Sequence, residues 1–217
     1  MFDFKYKLFG RSKGRKRNKN LILNNFNEFD FNIKKDLNKK LFNILDIGSG
    51  NGENAIYLSK LYPNSRIITC EIFEDGNINL INEINKLHIN NILLFKGNAL
   101  QLLDELKKDM IFNQVWILFP DPWPKKRHHK RRLINHAFLN YIYNFLKDSG
   151  RIMISTDSNE YVQLMFNLIY ELKHKYKWEN QNYQTWNYEF LDLVETKFYK
   201  NALNTNRKST FFSLKKI

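Results

Sequence analysis

The sequence predicts an α/β fold with a mostly parallel, doubly wound sheet and an antiparallel edge towards the carboxyl end. Three observations predict it. Apolar runs of strand length alternate five times with segments of helical periodicity, the pattern of parallel strands joined by crossover helices. Three of only eight glycines stand at alternate positions, Gly48-Ser49-Gly50-Asn51-Gly52, directly after the first apolar run. Beyond residue 176 the alternation stops, and aromatic and β-branched residues lead into a last strand-like run without a long helix between, as an antiparallel edge pair would.

The chain has 217 residues, 43% of them hydrophobic, enough to bury one good core. It is read as a basic arm over residues 1–20 followed by a single domain over 21–217. The arm holds eight Lys or Arg against one acid, Asp3. It is expected to be mobile when free and to bind nucleic acid, although a transit peptide is equally basic and acid-poor. A net charge of +13 calls for an acidic partner, either nucleic acid or an anionic membrane surface. No apolar run approaches the ~18 to 20 residues of a membrane span, and no amino-terminal segment resembles a signal peptide, so nucleic acid is the stronger reading. The single cysteine, Cys70, lies in the strand-like run Arg66–Cys70 and cannot form an intramolecular disulfide, which fits a reducing, cytoplasmic setting. With no His or basic residue beside it, Cys70 reads as a small buried hydrophobe rather than a nucleophile.

A weak helical pattern over residues 33–41 leads into a first strand over 42–47. The glycine turn then allows a close backbone approach to a ligand before a helix from about Glu53 to Leu61. Glu53 stands where a dinucleotide fingerprint needs its third glycine, and no Gly-Lys-Ser/Thr follows. Asp46 and Glu53 flank the turn with negative charge, which disfavours a pyrophosphate and suits a cationic or phosphate-free nucleoside. The second strand ends at Glu71, 21 residues after Gly50. An acid there is placed to accept from a ribose diol, or is simply an exposed loop acid. A helix over about 74–87 shows Ile78, Ile81, Ile84 and Leu87 on one face. A third strand over 92–96 precedes Asn98, which can pair with an adenine edge or cap the helix that runs to Leu106.

The fourth strand, through Val115-Trp116-Ile117-Leu118, delivers Phe119-Pro120-Asp121-Pro122-Trp123-Pro124. Three of the four prolines in the chain fall here, fixing φ and pushing their predecessors towards extended backbone, so Asp121 and Trp123 sit on a stiff, non-helical tip. Residues 125–132 then place six Lys or Arg and two His in eight positions. His128 and His129 belong to this basic face, and no Cys/His cluster has the spacing of a metal site. A helix over about 131–146, a break at Lys147–Gly150, a fifth strand over 151–155 and a helix over about 159–172 complete the alternation. Asp46, Glu71, Asn98, Asp121 and Asp157 all fall at or just past strand ends.

Leu45–Gly52, Glu71, Asn98-Ala99 and above all Phe119–His128 resemble the bacterial tRNA (guanine-N7-)-methyltransferases, which use S-adenosyl-L-methionine and modify guanosine 46 in the tRNA variable loop. The likeness spans about residues 8–215, and the Pro-Asp-Pro-Trp run with its basic sequel is the specific part. It implies a Rossmann-like class I methyltransferase fold, and cofactor contacts at Asp46, Gly48, Glu71, Asn98 and Asp121. It also implies that Asp121 is the catalytic acid, and that Lys125, Asp157 and the run Thr196-Lys197-Phe198-Tyr199 contact substrate, with the arm and residues 125–132 as the tRNA face. Two positions depart from the family pattern. Asn98 replaces an Asp, and Tyr199 stands where the family has Glu, which removes a carboxylate from the implied guanine site. Two other readings use the same residues: methylation of an exocyclic amine, from the similarity of the tip to Asn/Asp-Pro-Pro-aromatic motifs, and a non-catalytic RNA-binding subunit.

Overall fold

A computed structural model describes residues 39–106 and 110–217, and these two stretches form two compact units. The arm expected over residues 1–20 and most of the weak helix over 33–41 lie outside the described residues.

In the first unit, β1 (Phe42–Ile47), β2 (Ser65–Glu71) and β3 (Ile92–Lys96) are parallel, with β2 in the middle. Ile44 sits opposite Ile67, and Ile67 opposite Ile92. From Asn43 to Ile47 every residue of β1 is buried, as is expected of strands covered on both faces. Helix α1 (Glu53–Leu61) starts where the sequence places it, directly after Gly52 at φ 86°. A Cβ there would come within 2.5 Å of Leu80 Cδ1, so glycine is required for both backbone and space. Helix α2 (Glu74–Leu87) buries Ile78, Leu80, Ile81 and Ile84, while Leu87, expected on the same face, is 40% exposed. The helix stops at the left-handed His88, so its last turn passes the edge of the core. Gly76, in the first turn of α2, abuts the Gly50 carbonyl, which an added Cβ would strike. Helix α3 (Ala99–Glu105) is capped by Asn98, whose Oδ1 accepts from Leu100 N at 2.8 Å.

In the second unit, β4 (Phe112–Leu118) runs parallel to β5 (Leu146–Thr156), β7 (Thr210–Lys216) is antiparallel to β5, and β6 (Tyr176–Trp178) is antiparallel to β7. The antiparallel carboxyl edge is therefore as expected. The break at Lys147–Gly150 is a bulge inside β5 rather than a loop before it. Leu146 pairs with Phe112 and Arg151 with Gln114, and Ser149 adopts φ 59°. The helix expected over 131–146 is shorter. A 3-10 segment covers Lys126–Arg131, Arg132 is extended, and α4 (His136–Ile142) begins only where Asn135 Oδ1 accepts from Phe138 N at 3.0 Å. Arg132 is drawn inward by tertiary hydrogen bonds, which break the helical path. Helix α5 (Asn159–Glu171) follows β5, and the tail adds α6 (Tyr183–Trp186) and α7 (Lys197–Asn204). Among the described residues no helix is long and apolar enough to cross a membrane.

Gly76→Ala is expected to destabilise the protein by about 1–3 kcal/mol through overpacking against the glycine turn, whereas Leu87→Ser should change stability by less than ~0.5 kcal/mol. Urea unfolding of both variants checks this, and equal tolerance of the two would show that the contact between helix and turn is loose.

Candidate functional site

Each unit carries polar residues past the carboxyl ends of its parallel strands. In the first, Gly48 and Gly50 take φ of 71° and 56°, so the turn folds back in a conformation that side chains resist. Gly48 is exposed, and a Cβ built on it would meet nothing within 4 Å, so its backbone faces open space. Glu71 ties this turn to the end of β2. Its Oε2 accepts from Gly50 N at 2.9 Å, and its Oε1 accepts from Ile72 N at 2.7 Å and Phe73 N at 2.8 Å. It is more than a loop acid, since it organises the backbone around it.

Asp46, at 2% exposure, accepts a hydrogen bond from Asn54 Nδ2 at 2.9 Å through Oδ1. Its Oδ2 is buried and has no partner in the protein. Burial pushes its pKa up to about 7, against the lowering effect of Asn54 and with smaller contributions from Glu71 and Glu53. A buried carboxyl with one oxygen unsatisfied, beside an open glycine backbone, fits a ligand that brings a cation or a donor. Asn54 was not singled out from the sequence, because a single Asn in the first turn of a helix carries no signal. Cys70 is buried and its thiol is pushed upward by burial, as befits a packing residue.

In the second unit, Phe119 and Trp123 adopt φ of 53° and 41°, so two bulky residues in the left-handed region bracket Asp121. Each such residue stores roughly 1–3 kcal/mol of strain, which survives only where the surroundings over-determine it. The Phe119 ring packs against Tyr188 and Tyr199, with centroids 5.6 and 6.3 Å away. The Trp123 indole meets the His128 ring edge-on at 5.7 Å and lies under the Arg131 guanidinium at 5.0 Å. Asp121 is exposed as a residue, yet desolvation of its carboxyl lifts its pKa above the usual range. Lys125, Lys126, Arg127 and Lys130 are exposed. Arg132, counted with them in the sequence, is instead 7% exposed and bonds inward to Pro122 O and Glu160.

Asp157, just past β5, pairs with Arg207, Nη2 to Oδ2 at 3.2 Å. Thr196 is the buried cap of α7, its Oγ1 accepting from Tyr199 N at 3.2 Å, and Lys197 and Phe198 are exposed. Tyr199 is 7% exposed. Its phenol pKa is raised by burial and by the nearby Glu189 and Glu195 carboxylates. With Glu189, Arg207 and Ser209 it borders a pocket of about 200 Å³, and the buried Ser209 Oγ has no partner in the protein. Arg207, Glu160 and Ser209 lie in stretches with no motif, so only the fold brings them to notice. Among the described residues no group of three metal-ligating side chains occurs.

The fold resembles precorrin-6y C5,15-methyltransferase of Geobacter metallireducens GS-15, with a TM-score of 0.55 at 16% identity over 80% of each chain. It also resembles a Streptococcus mutans protein described as "a putative methyltransferase" and solved in complex with SAH, with a TM-score of 0.52 at 14% identity, covering 85% of this chain and 96% of that one. These likenesses define a Rossmann-like class I methyltransferase fold. The family model Methyltransf_4, described as "Putative methyltransferase", matches residues 40–212. The tRNA (guanine-N(7)-)-methyltransferase of Wolbachia pipientis wMel is 33% identical over 185 residues, which cover 85% of this chain and 80% of that protein. The chain belongs to the tRNA (guanine-N(7)-)-methyltransferase family.

The Asp46 shift sets a pH dependence. An acid whose pKa is raised on folding contributes stability that is full below its unfolded value near 4 and is lost as pH rises through the folded value of about 7. Asp46→Asn abolishes this loss. Between pH 5 and 8 the ligand-free parent should therefore lose stability relative to Asp46→Asn, by at most ~1.4 kcal/mol per pH unit. Thermal melts across that range check this, and a gap between the two that does not vary with pH would contradict it.

Proposed function

We propose that this chain transfers the methyl group of S-adenosyl-L-methionine to N7 of guanine, at position 46, in tRNA. The observation that carries this reading is the tip itself. An acid is held between two strained residues after a parallel strand, and a run of exposed cations follows at once. The names of the relatives point the same way.

When bound, S-adenosyl-L-methionine supplies an electrophilic sulfonium methyl group. Asp46 would hold a cationic part of that cofactor with its unpartnered oxygen, Gly48 would admit it close to the backbone, and Glu71 and Asn98 would meet its nucleoside. Glu71 keeps lone pairs for this beyond its three amide bonds, and Asn98 caps α3 through Oδ1, which leaves the cap independent of its Nδ2 donors.

Guanine N7 has an in-plane lone pair and no proton, so no general base is needed to create the nucleophile. The work left to the protein is alignment and charge stabilisation. Asp121 accepts from the donor edge of the guanine and offsets the positive charge that develops on the ring. Asp157 and the 196–199 segment contact the substrate around it. The exposed Lys125, Lys126, Arg127 and Lys130, together with the 1–20 arm, bind phosphates, so selection rests on tRNA shape more than on base readout. The reaction belongs in the cytoplasm, where tRNA is the partner.

Incubation with labelled S-adenosyl-L-methionine and unmodified tRNA, followed by nucleoside analysis, should yield 7-methylguanosine. Label in another nucleoside, or none, would overturn the assignment. Asp121→Asn, with tRNA and cofactor saturating, should lower kcat by about 10²-fold or more, and a parental rate would remove Asp121 from the chemistry. Replacing Lys126, Arg127 and Lys130 by Gln should raise the KM for tRNA and make it less sensitive to salt, the slope falling by about 1 for each cation that bound a phosphate.

A further inference from the structure

We propose that Arg132 is a positioning residue for methyl transfer, its guanidinium holding the proline tip by two backbone carbonyls so that Asp121 is presented in one place. The inference rests on the reading of Asp121 given above. Its basis is geometric. Arg132 Nε donates to Pro122 O at 2.8 Å, and Nη2 makes a longer contact of 3.5 Å with Trp123 O. These carbonyls belong to the two consecutive peptides on either side of Trp123, beginning one residue after Asp121. Nη2 also donates to Glu160 Oε2 at 2.5 Å, and the guanidinium carbon lies 5.2 Å from the centroid of the Tyr161 ring.

The tip needs such a donor. Prolines at 120, 122 and 124 remove every second amide N–H, so the segment cannot hold itself through its own backbone and presents mostly acceptors. Two residues of the tip are strained, and strain of that kind relaxes unless something external opposes it. A planar fork with donors in fixed directions can serve two carbonyls and a carboxylate at once, which a lysine ammonium on a flexible stem cannot do with the same precision. The cost of burying the cation is offset by Glu160, itself half exposed, and by the face of Tyr161. Glu160 also lies 3.4 Å from His129 Nε2, so the start of α5 anchors both the buried clamp and the 3-10 segment that follows the tip.

A residue that only stabilises the fold would change the melting temperature and leave the chemistry of folded molecules alone. A positioning residue acts through Asp121. Arg132→Lys, assayed as purified full-length protein with both substrates saturating, should lose about 10- to 100-fold in kcat. The KM for tRNA and the affinity for S-adenosyl-L-methionine should stay within about threefold, because no cofactor-binding group or exposed cation is altered. In the Asp121→Asn background the same substitution should cost less than about threefold, since the group it places is already gone. Glu160→Gln, which keeps an acceptor but removes the counter-charge, should show the same pattern at several-fold amplitude, and it decides the matter if Arg132→Lys does not fold. Parental kcat in both variants, a loss confined to KM, or an equal loss with and without Asp121 would each overturn the proposal. If Asp121→Asn alone keeps the parental rate, the assignment of Asp121 fails first, and that result is read without reference to Arg132.

Discussion

A backbone that leaves a parallel sheet must satisfy its polar groups without a ladder, and the two turns of this protein that matter most solve that problem with opposite charges. The glycine turn of the first unit and the end of β2 offer amide N–H groups, and the Glu71 carboxylate accepts three of them. The proline tip of the second unit has lost every second N–H group and offers mostly carbonyls, and the Arg132 guanidinium donates to two of them. At the tip composition sets the sign, since each proline removes a donor and keeps its carbonyl, whereas at the end of β2 the donors are the amides of Gly50, Ile72 and Phe73. Each side chain thereby fixes a strand end at which a neighbouring carboxylate, Asp46 or Asp121, is left available.

Those two carboxylates are held in different electrostatic settings. Asp46 is enclosed, has one oxygen without a partner and titrates near neutrality, so a ligand that brings positive charge would relieve a standing cost. Asp121 stands at the surface on a rigid support, with a smaller upward shift from desolvation. The first arrangement suits binding of a cation, and the second suits stabilising charge that appears only during a reaction. Asp157 is paired with Arg207, which makes it a structural partner at the end of β5.

Most of the fold was legible in the residues themselves. Apolar runs and their spacing predicted β1, α1, α2, β3 and the antiparallel tail, because burial is continuous along these elements and β1, α2 and β3 stop at Gly48, the left-handed His88 and Gly97. The fourth helix was misjudged because Arg131 and Arg132 look like favourable helix residues, and only the inward hydrogen bonds of Arg132 show that the chain must be extended there. The bulge in β5 was missed for a similar reason, since Ser149 and Gly150 read as a turn while Leu146 already pairs with Phe112.

By itself the sequence determined which residues could do the chemistry: an acid on a proline-stiffened tip, a glycine turn with an acid 21 positions later, and a run of cations. These are local patterns, set by backbone sterics and by charge density. Tertiary structure alone decided which of the like-charged residues do different work. It buried Arg132 and left Lys125, Lys126, Arg127 and Lys130 in solvent, withdrew one oxygen of Asp46 from every protein donor, placed Arg207 on Asp157, and packed Tyr199 against Tyr188 and Phe119. The physical reason is that desolvation and hydrogen-bond pairing depend on what the rest of the chain brings to a side chain, and no local pattern carries that information.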